Sequence, residues 1–113
     1  MPIEDLVGEE LNSVSFVMDY VEFGFNGPVL RVMTSVEVSK DGQKATFPHG
    51  GSRDALARAI GTSVQRISIE PSTEMRISLS DGSVLRIPLV CDESTGPEAV
   101  HFVPDDGETM SIW

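Results

Sequence analysis

A single cysteine, Cys91, leaves this chain unable to close a disulfide within itself, which suits a reducing compartment. Histidine is scarce too. Only His49 and His101 are present, and no His or Cys pair has the close spacing of a zinc site, so neither a metal nor a cofactor is expected. No apolar run approaches the ~20 residues of a membrane helix. A glycine-rich phosphate loop is missing as well. Cations are few: eight Lys and Arg stand against 18 Asp and Glu, for a net charge of −10. Residues 1–30 and residues 87–113 each carry six acids and no Lys or Arg, so all eight cations fall between Arg31 and Arg86. This balance opposes nucleic-acid binding, which needs cations to displace counterions, and it opposes anionic membrane surfaces. It permits a basic protein partner.

What is present reads as a globular chain. With 113 residues and 40 % hydrophobic content, one domain over 1–113 is expected, with residues 1–10 as a flexible lead. The start, Met-Pro-Ile-Glu-Asp, is acidic and has no signal-peptide pattern, so a cytoplasmic location is expected.

The stretch from Ser63 to Val90 organises the rest. Ile67 and Ile69, then Met75, Ile77 and Leu79, then Leu85, Ile87 and Leu89 recur at period two with polar residues between. Such alternation marks strands with one buried and one wet face. Pro71-Ser72 and Asp81-Gly82 are the turns. Parity sets the second turn. A two-residue loop would pair Ile77 with Arg86 and bring a cation onto the apolar face. A three-residue loop, Ser80-Asp81-Gly82, pairs Ile77 with Leu85 and Met75 with Ile87, with Gly82 suited to a left-handed conformation.

An earlier block has the same form. Val14, Phe16 and Met18 make one strand face, Val21, Phe23 and Phe25 the next, and Leu30 through Val38 a third. A two-residue Asn26-Gly27 turn pairs Phe23 with Leu30 and Val21 with Val32. Pro28-Val29-Leu30-Arg31-Val32 matches Ser83-Val84-Leu85-Arg86-Ile87, so the blocks read as two three-stranded meanders, consistent with an internal duplication. Asp41-Gly42 turns the chain into a short strand over Lys44 to Phe47. One helix follows. Ser52 is its expected cap, Leu56, Ala59 and Ile60 its buried stripe, and Gly61 its end. About nine residues are too few for an isolated helix, so it must lie on the sheet. Ala99 to Val103 and Thr109 to Trp113 read as a terminal hairpin, with Trp113 closing one end of the core. The expected fold class is α+β, mostly antiparallel β: two three-stranded meanders, a C-terminal hairpin and one short helix packed on the sheet.

Few residues suggest chemistry. Cys91 and His101 stand ten apart, and no helix terminus or nucleophile elbow surrounds the thiol, so an incidental cysteine is the simpler reading. Asp105-Asp106-Gly107-Glu108 resembles a calcium loop but lacks its ligand spacing, and a turn is the default. Asp19-Tyr20 reads as a structural hydrogen-bonding pair. The loop Pro48 to Ser52 leads into a helix start beside Arg53, where anions can bind, although a capping loop is the simpler reading. Glu98 and His101 could act as acid and base. The candidate ligand-binding residues are therefore His49, Arg53, His101 and Glu98. No catalytic residue is assigned.

The motifs Asp19-Tyr20, Ala59-Ile60-Gly61 with Val64, Ser80-Asp81-Gly82-Ser83-Val84-Leu85, Pro97-Glu98-Ala99 and the ending Ile112-Trp113 resemble those of a family of small uncharacterised bacterial proteins. The resemblance spans about residues 11–113. It implies a β-rich fold with one helix and carries over no catalytic residue. Where the family pattern has an aromatic soon after the Glu-Ala pair, this chain has Val100-His101-Phe102. The functional expectation is a non-enzymatic protein-binding module of the immunity-protein kind, engaging a basic protein. A small-ligand binder or minor enzyme with a site near residues 48–53 is the alternative. A homodimer through strand edges is the third possibility.

Overall fold

Alternation of apolar and polar residues does most of the building. The computed structural model describes residues 3–17, 20–47, 49–70, 73–89, 100–103 and 111–112, and the alternating segments read above form strands in it. In chain order these are β1 (Ser13–Val17), β2 (Tyr20–Gly24), β3 (Val29–Val32), β4 (Val36–Lys40), β5 (Gln43–Phe47), β6 (Val64–Glu70), β7 (Glu74–Leu79), β8 (Val84–Pro88), β9 (Val100–Val103) and β10 (Ser111–Ile112). One helix, α1 (Ser52–Ala57), lies between β5 and β6 and packs on β1, β4 and β5. The class is α+β, mostly antiparallel β, with one short helix on the sheet, as expected. No helix of the described residues is long and apolar enough to cross a membrane.

Both meanders form with the expected registers. Phe23 pairs with Leu30 and Val21 with Val32 across the Asn26-Gly27 turn. Ile77 pairs with Leu85 and Met75 with Ile87 across a loop of three. In that loop the Leu79 N–H donates to the Ser83 carbonyl (2.9 Å), and Gly82 takes φ +90°. Arg86 is thereby kept off the apolar face. Asp41 and Gly42, at φ 53° and 81°, make the primed turn that joins β4 to β5.

The strands assemble into two five-stranded sheets, ordered β1-β2-β3-β9-β10 and β5-β4-β8-β7-β6. The plan is the same in both: a meander whose third strand accepts a hairpin. The hairpins are exchanged. The one that follows the first meander, β4–β5, joins β8, and the one that follows the second, β9–β10, joins β3. The expected single strand from Leu30 to Val38 is therefore two strands in different sheets. Val32 and Val36 are both fully buried, so the crossing between them leaves the apolar parity intact.

One core serves both sheets. Phe23, Leu30 and Phe102 from the first and Phe47, Met75, Ile77 and Ile87 from the second are at most 1 % exposed. A register shift between Val64 and Arg66 lets Val64, on an even number, share the apolar side of β6 with Ile67 and Ile69.

Three local expectations are corrected. The lead expected over residues 1–10 places Ile3 and Leu6 in the core. Ile3–Leu6 forms a 3-10 turn with Ile3 and Leu6 buried, and Glu10 bridges to Ser63. Spacing of three puts these two apolar side chains on one side of such a turn, a period that alternation does not reveal. Ser52 is not the cap. Gly51 holds that position with φ 81°, and the buried Ser52 hydroxyl turns back to donate to the His49 carbonyl (2.6 Å). Ile60 is 44 % exposed while Leu56 and Ala59 are buried. The helix ends at Ala57, so helical periodicity no longer sets the direction of residue 60. Trp113, Met18, Asp19, Cys91 to Ala99 and Pro104 to Met110 lie outside the described residues.

Candidate functional site

Three of the expected site residues, His49, Arg53 and His101, are among the described residues. His49 is exposed; its main-chain N–H donates to the Thr46 carbonyl (2.8 Å) and its carbonyl accepts the Ser52 hydroxyl. Arg53, in the first turn of α1, lies over two rings, 5.8 Å from the centroid of Phe16 and 5.1 Å from that of Phe47. Those rings stack at 5.6 Å. The guanidinium thus covers an aromatic pair where β1 and β5 approach, in cation–π geometry. His101 sits half-buried on β9, directly across from Arg31. It is three strands from β1, roughly 14 Å at the usual strand spacing, so it does not meet His49 or Arg53. Glu98 and Cys91 lie outside the described residues. Among the described residues no three His, Cys, Asp or Glu side chains converge on one point.

The wet faces carry charge networks built around equivalent arginines. On the first sheet the Arg31 Nε donates to Glu22 (2.8 Å), and its guanidinium lies 5.8 Å from the Tyr20 ring centroid. On the second, Glu74 accepts from Arg86 (2.9 Å) and from the Nε of Arg76, while Glu37 stands 3.8 Å from Arg86. The bond from Arg86, then that from Arg76, holds the Glu74 carboxyl below the ordinary glutamate value. Folded Glu74 therefore resists protonation more than unfolded Glu74. Its contribution is complete above the unfolded value of about 4.3 and is lost as pH falls through the lower folded value. Glu74→Gln should flatten the acid limb of stability. Urea midpoints measured from neutral pH down to pH ~3 should fall less steeply in the variant. Parallel decline in both proteins would deny Glu74 this role.

A groove of about 580 Å³ opens between the β4–β5 hairpin, α1 and the β7–β8 loop. Such a volume is within the ~300–1,000 Å³ of small-ligand sites. Val38 and Ala45 form the apolar floor, with Lys40 and Lys44, the only lysines of the chain, on the hairpin wall. Asp54 contributes from α1, Arg58 from just past its end, and Asp81 and Ser83 from the loop. Lys40 reaches Asp81 at 3.4 Å, and the Ser83 N–H donates to the same carboxylate (2.9 Å). Burial alone would raise the Asp81 carboxyl, but the bonds from Ser83 and Lys40 outweigh it and leave the group below its ordinary value. Lys44 and Arg58 make no ion pair among the described residues.

No family model, no curated protein and no solved structure matches the chain. Its surfaces must therefore be read from their own chemistry.

The groove was not legible in the sequence because its walls come from residues 38–45, 51–58 and 81–83. The one available signal was the crowding of both lysines into a single hairpin. A second surface is the N-terminal segment. Glu4, Asp5 and Glu10 are exposed, Glu9 is half-buried, and none makes an ion pair among the described residues. The segment is held in place along the start of β6: the Gly8 N–H donates to Val64 (2.8 Å), the Val64 N–H to Glu9 (2.9 Å) and the Leu11 N–H to Thr62 (2.8 Å).

Proposed function

We propose that this chain is a cytoplasmic, non-enzymatic protein-binding module that engages a basic partner through its acidic N-terminal segment, in the manner of an immunity protein. The supporting observation is that Glu4, Asp5, Glu9 and Glu10 make no ion pair among the described residues and sit on a segment anchored by Ile3, Leu6 and a backbone ladder to β6. A fixed row of carboxylates loses less conformational freedom on binding than a loose acidic tail, and it attracts cationic partners over several ångströms at low salt. The lone Cys91 and the net charge of −10 support the cytoplasmic setting.

The test immobilises the wild-type chain and a Glu4→Gln/Asp5→Asn/Glu9→Gln/Glu10→Gln variant and passes lysate over both. A basic protein retained by the wild type, released by salt and missed by the variant is expected. Equal retention by both, or retention indifferent to salt, rejects the segment as the docking surface. None of the four is among the buried residues, so the variant should keep the wild-type urea midpoint.

A second reading, a small-ligand binder beside residues 48–53, is favoured by the groove. Unpaired Lys44 and Arg58 with Asp54 and Asp81 suit a small zwitterion or carboxylate. Amino acids and dicarboxylates at millimolar concentration should raise the melting temperature of the wild type and not that of Lys44→Ala/Arg58→Ala. No shift across that panel removes the reading.

A further inference from the structure

β6 is the outermost strand of its sheet, and beyond Val64 no described strand pairs along its open side. The near end of that side is closed by Gly8 and Glu9, which bond to Val64. The margins at β1 and β5 are different, since α1 packs on both strands. What remains on β6 is Arg66 to Glu70, reading Arg-Ile-Ser-Ile-Glu.

The direction of its main-chain groups follows from the neighbouring ladder. The Leu79 N–H donates to Ser83 and the Leu89 N–H to Thr73, so odd-numbered residues of β7 bond to β8. Alternate residues of a central antiparallel strand bond to opposite neighbours. Glu74, Arg76 and Ser78 therefore face β6, and their partners Glu70, Ser68 and Arg66 face β7. Ile67 and Ile69 are left with N–H and C=O aimed at the open side.

We propose that this edge pairs antiparallel with the same edge of a second copy of the chain, about a twofold axis through Ser68. In that register Ile67 stands opposite Ile69 of the partner subunit on both sides of the axis, and these two pairs exchange four main-chain hydrogen bonds. Arg66 stands opposite Glu70 of the partner subunit, twice, so the five residues are complementary to themselves in charge. The half-buried Ile67 and Ile69, which pack at the margin of the core, become covered. Neighbouring registers fail. An axis through Ile67 sets Glu70 against Val64, whose outer side the N-terminal segment already occupies. An axis through Ile69 sets Ile67 against Pro71, which has no N–H to give. Between Arg66 and Glu70 there is neither proline nor an inward-facing charge, two of the protections of a free edge, and the register shift of β6 lies before this stretch, between Val64 and Arg66.

Sedimentation equilibrium of the full chain at tens of micromolar and low salt should give a dimer. Arg66→Glu alone, or Glu70→Arg alone, sets like charges opposite each other twice and should weaken it by about tenfold or more. The double reversal Arg66→Glu/Glu70→Arg should restore it, which a merely charge-sensitive surface would not do. In a Cys91→Ser background, Ser68→Cys should cross-link on mild oxidation. Facing Cα atoms of a non-hydrogen-bonded pair lie about 4.5 Å apart, within disulfide reach. Arg66→Cys in the same background should not cross-link. A monomer at these concentrations overturns the proposal. So does a dimer that ignores both reversals and fails to cross-link through Ser68→Cys.

Discussion

Leu6→Ala is expected to destabilise the protein by about 2–5 kcal/mol, the range for truncating a fully buried leucine. Leu6 is 0 % exposed and Ile3 is 3 % exposed, so the 3-10 turn they belong to is a plug in the core and not a tail. Removing three carbons of a packed side chain loses their transfer free energy and leaves a cavity that the surrounding strands fill only in part. The neighbour Val7 is 48 % exposed and supplies the control. Val7→Ala should change stability by no more than about 0.5 kcal/mol. Urea unfolding of the two variants decides the matter, since a loose lead would make them equally silent. The result also bears on the acidic surface. If Leu6 holds the segment down, Leu6→Ala should loosen the carboxylate row and weaken capture of a basic partner more than its effect on the folded fraction explains.

Leu56→Asp should have the larger effect, a loss above about 4 kcal/mol. Helix α1 has six residues, too few to persist alone, so its existence depends on what Leu56 and Ala59 bury. An aspartate there must either hold a carboxylate among Phe, Leu and Val side chains or draw a proton to become neutral, and both are costly. Set against a whole-domain stability of ~5–15 kcal/mol, this loss would leave much of the protein unfolded. Circular dichroism should show lost tertiary signal, and urea unfolding should show little or no folded baseline. Leu56→Met conserves volume and should cost under about 1.5 kcal/mol. A Leu56→Asp protein that unfolds with the wild-type midpoint would mean that the helix is not seated on the sheets.

Pairing parity was legible from residues alone. Ile77 opposite Leu85 and Phe23 opposite Leu30 follow from side-chain alternation and the number of residues in each turn, because a slip of one residue would turn Arg86 inward. The site was less legible. His49 and Arg53 are neighbours in sequence, but the ring stack of Phe16 and Phe47 that captures Arg53 joins β1 to β5, about thirty residues apart. Nothing local marks that contact. Ser52 departs from the expected cap for a related reason: its hydroxyl has two competing partners, and the buried side chain bonds to the His49 carbonyl. Residues 1–10 were misread because four acids and a glycine mask two apolar residues spaced three apart.

By itself, the order of residues determined most of the strand segments, which side of each is apolar, the registers across the Asn26-Gly27 and Ser80-Asp81-Gly82 turns, and the place of the α-helix. These depend on periods of two and on turns of two or three residues, so a few neighbours suffice to set them. Tertiary structure alone decided that the two hairpins exchange sheets, that Ile3 and Leu6 of the N-terminal turn enter the core, and that Lys44 and Arg58 line a common groove. Any strand with one apolar face can join any open edge. Which edge it joins depends on closing one core with the whole chain at once, and that is not written in any short stretch.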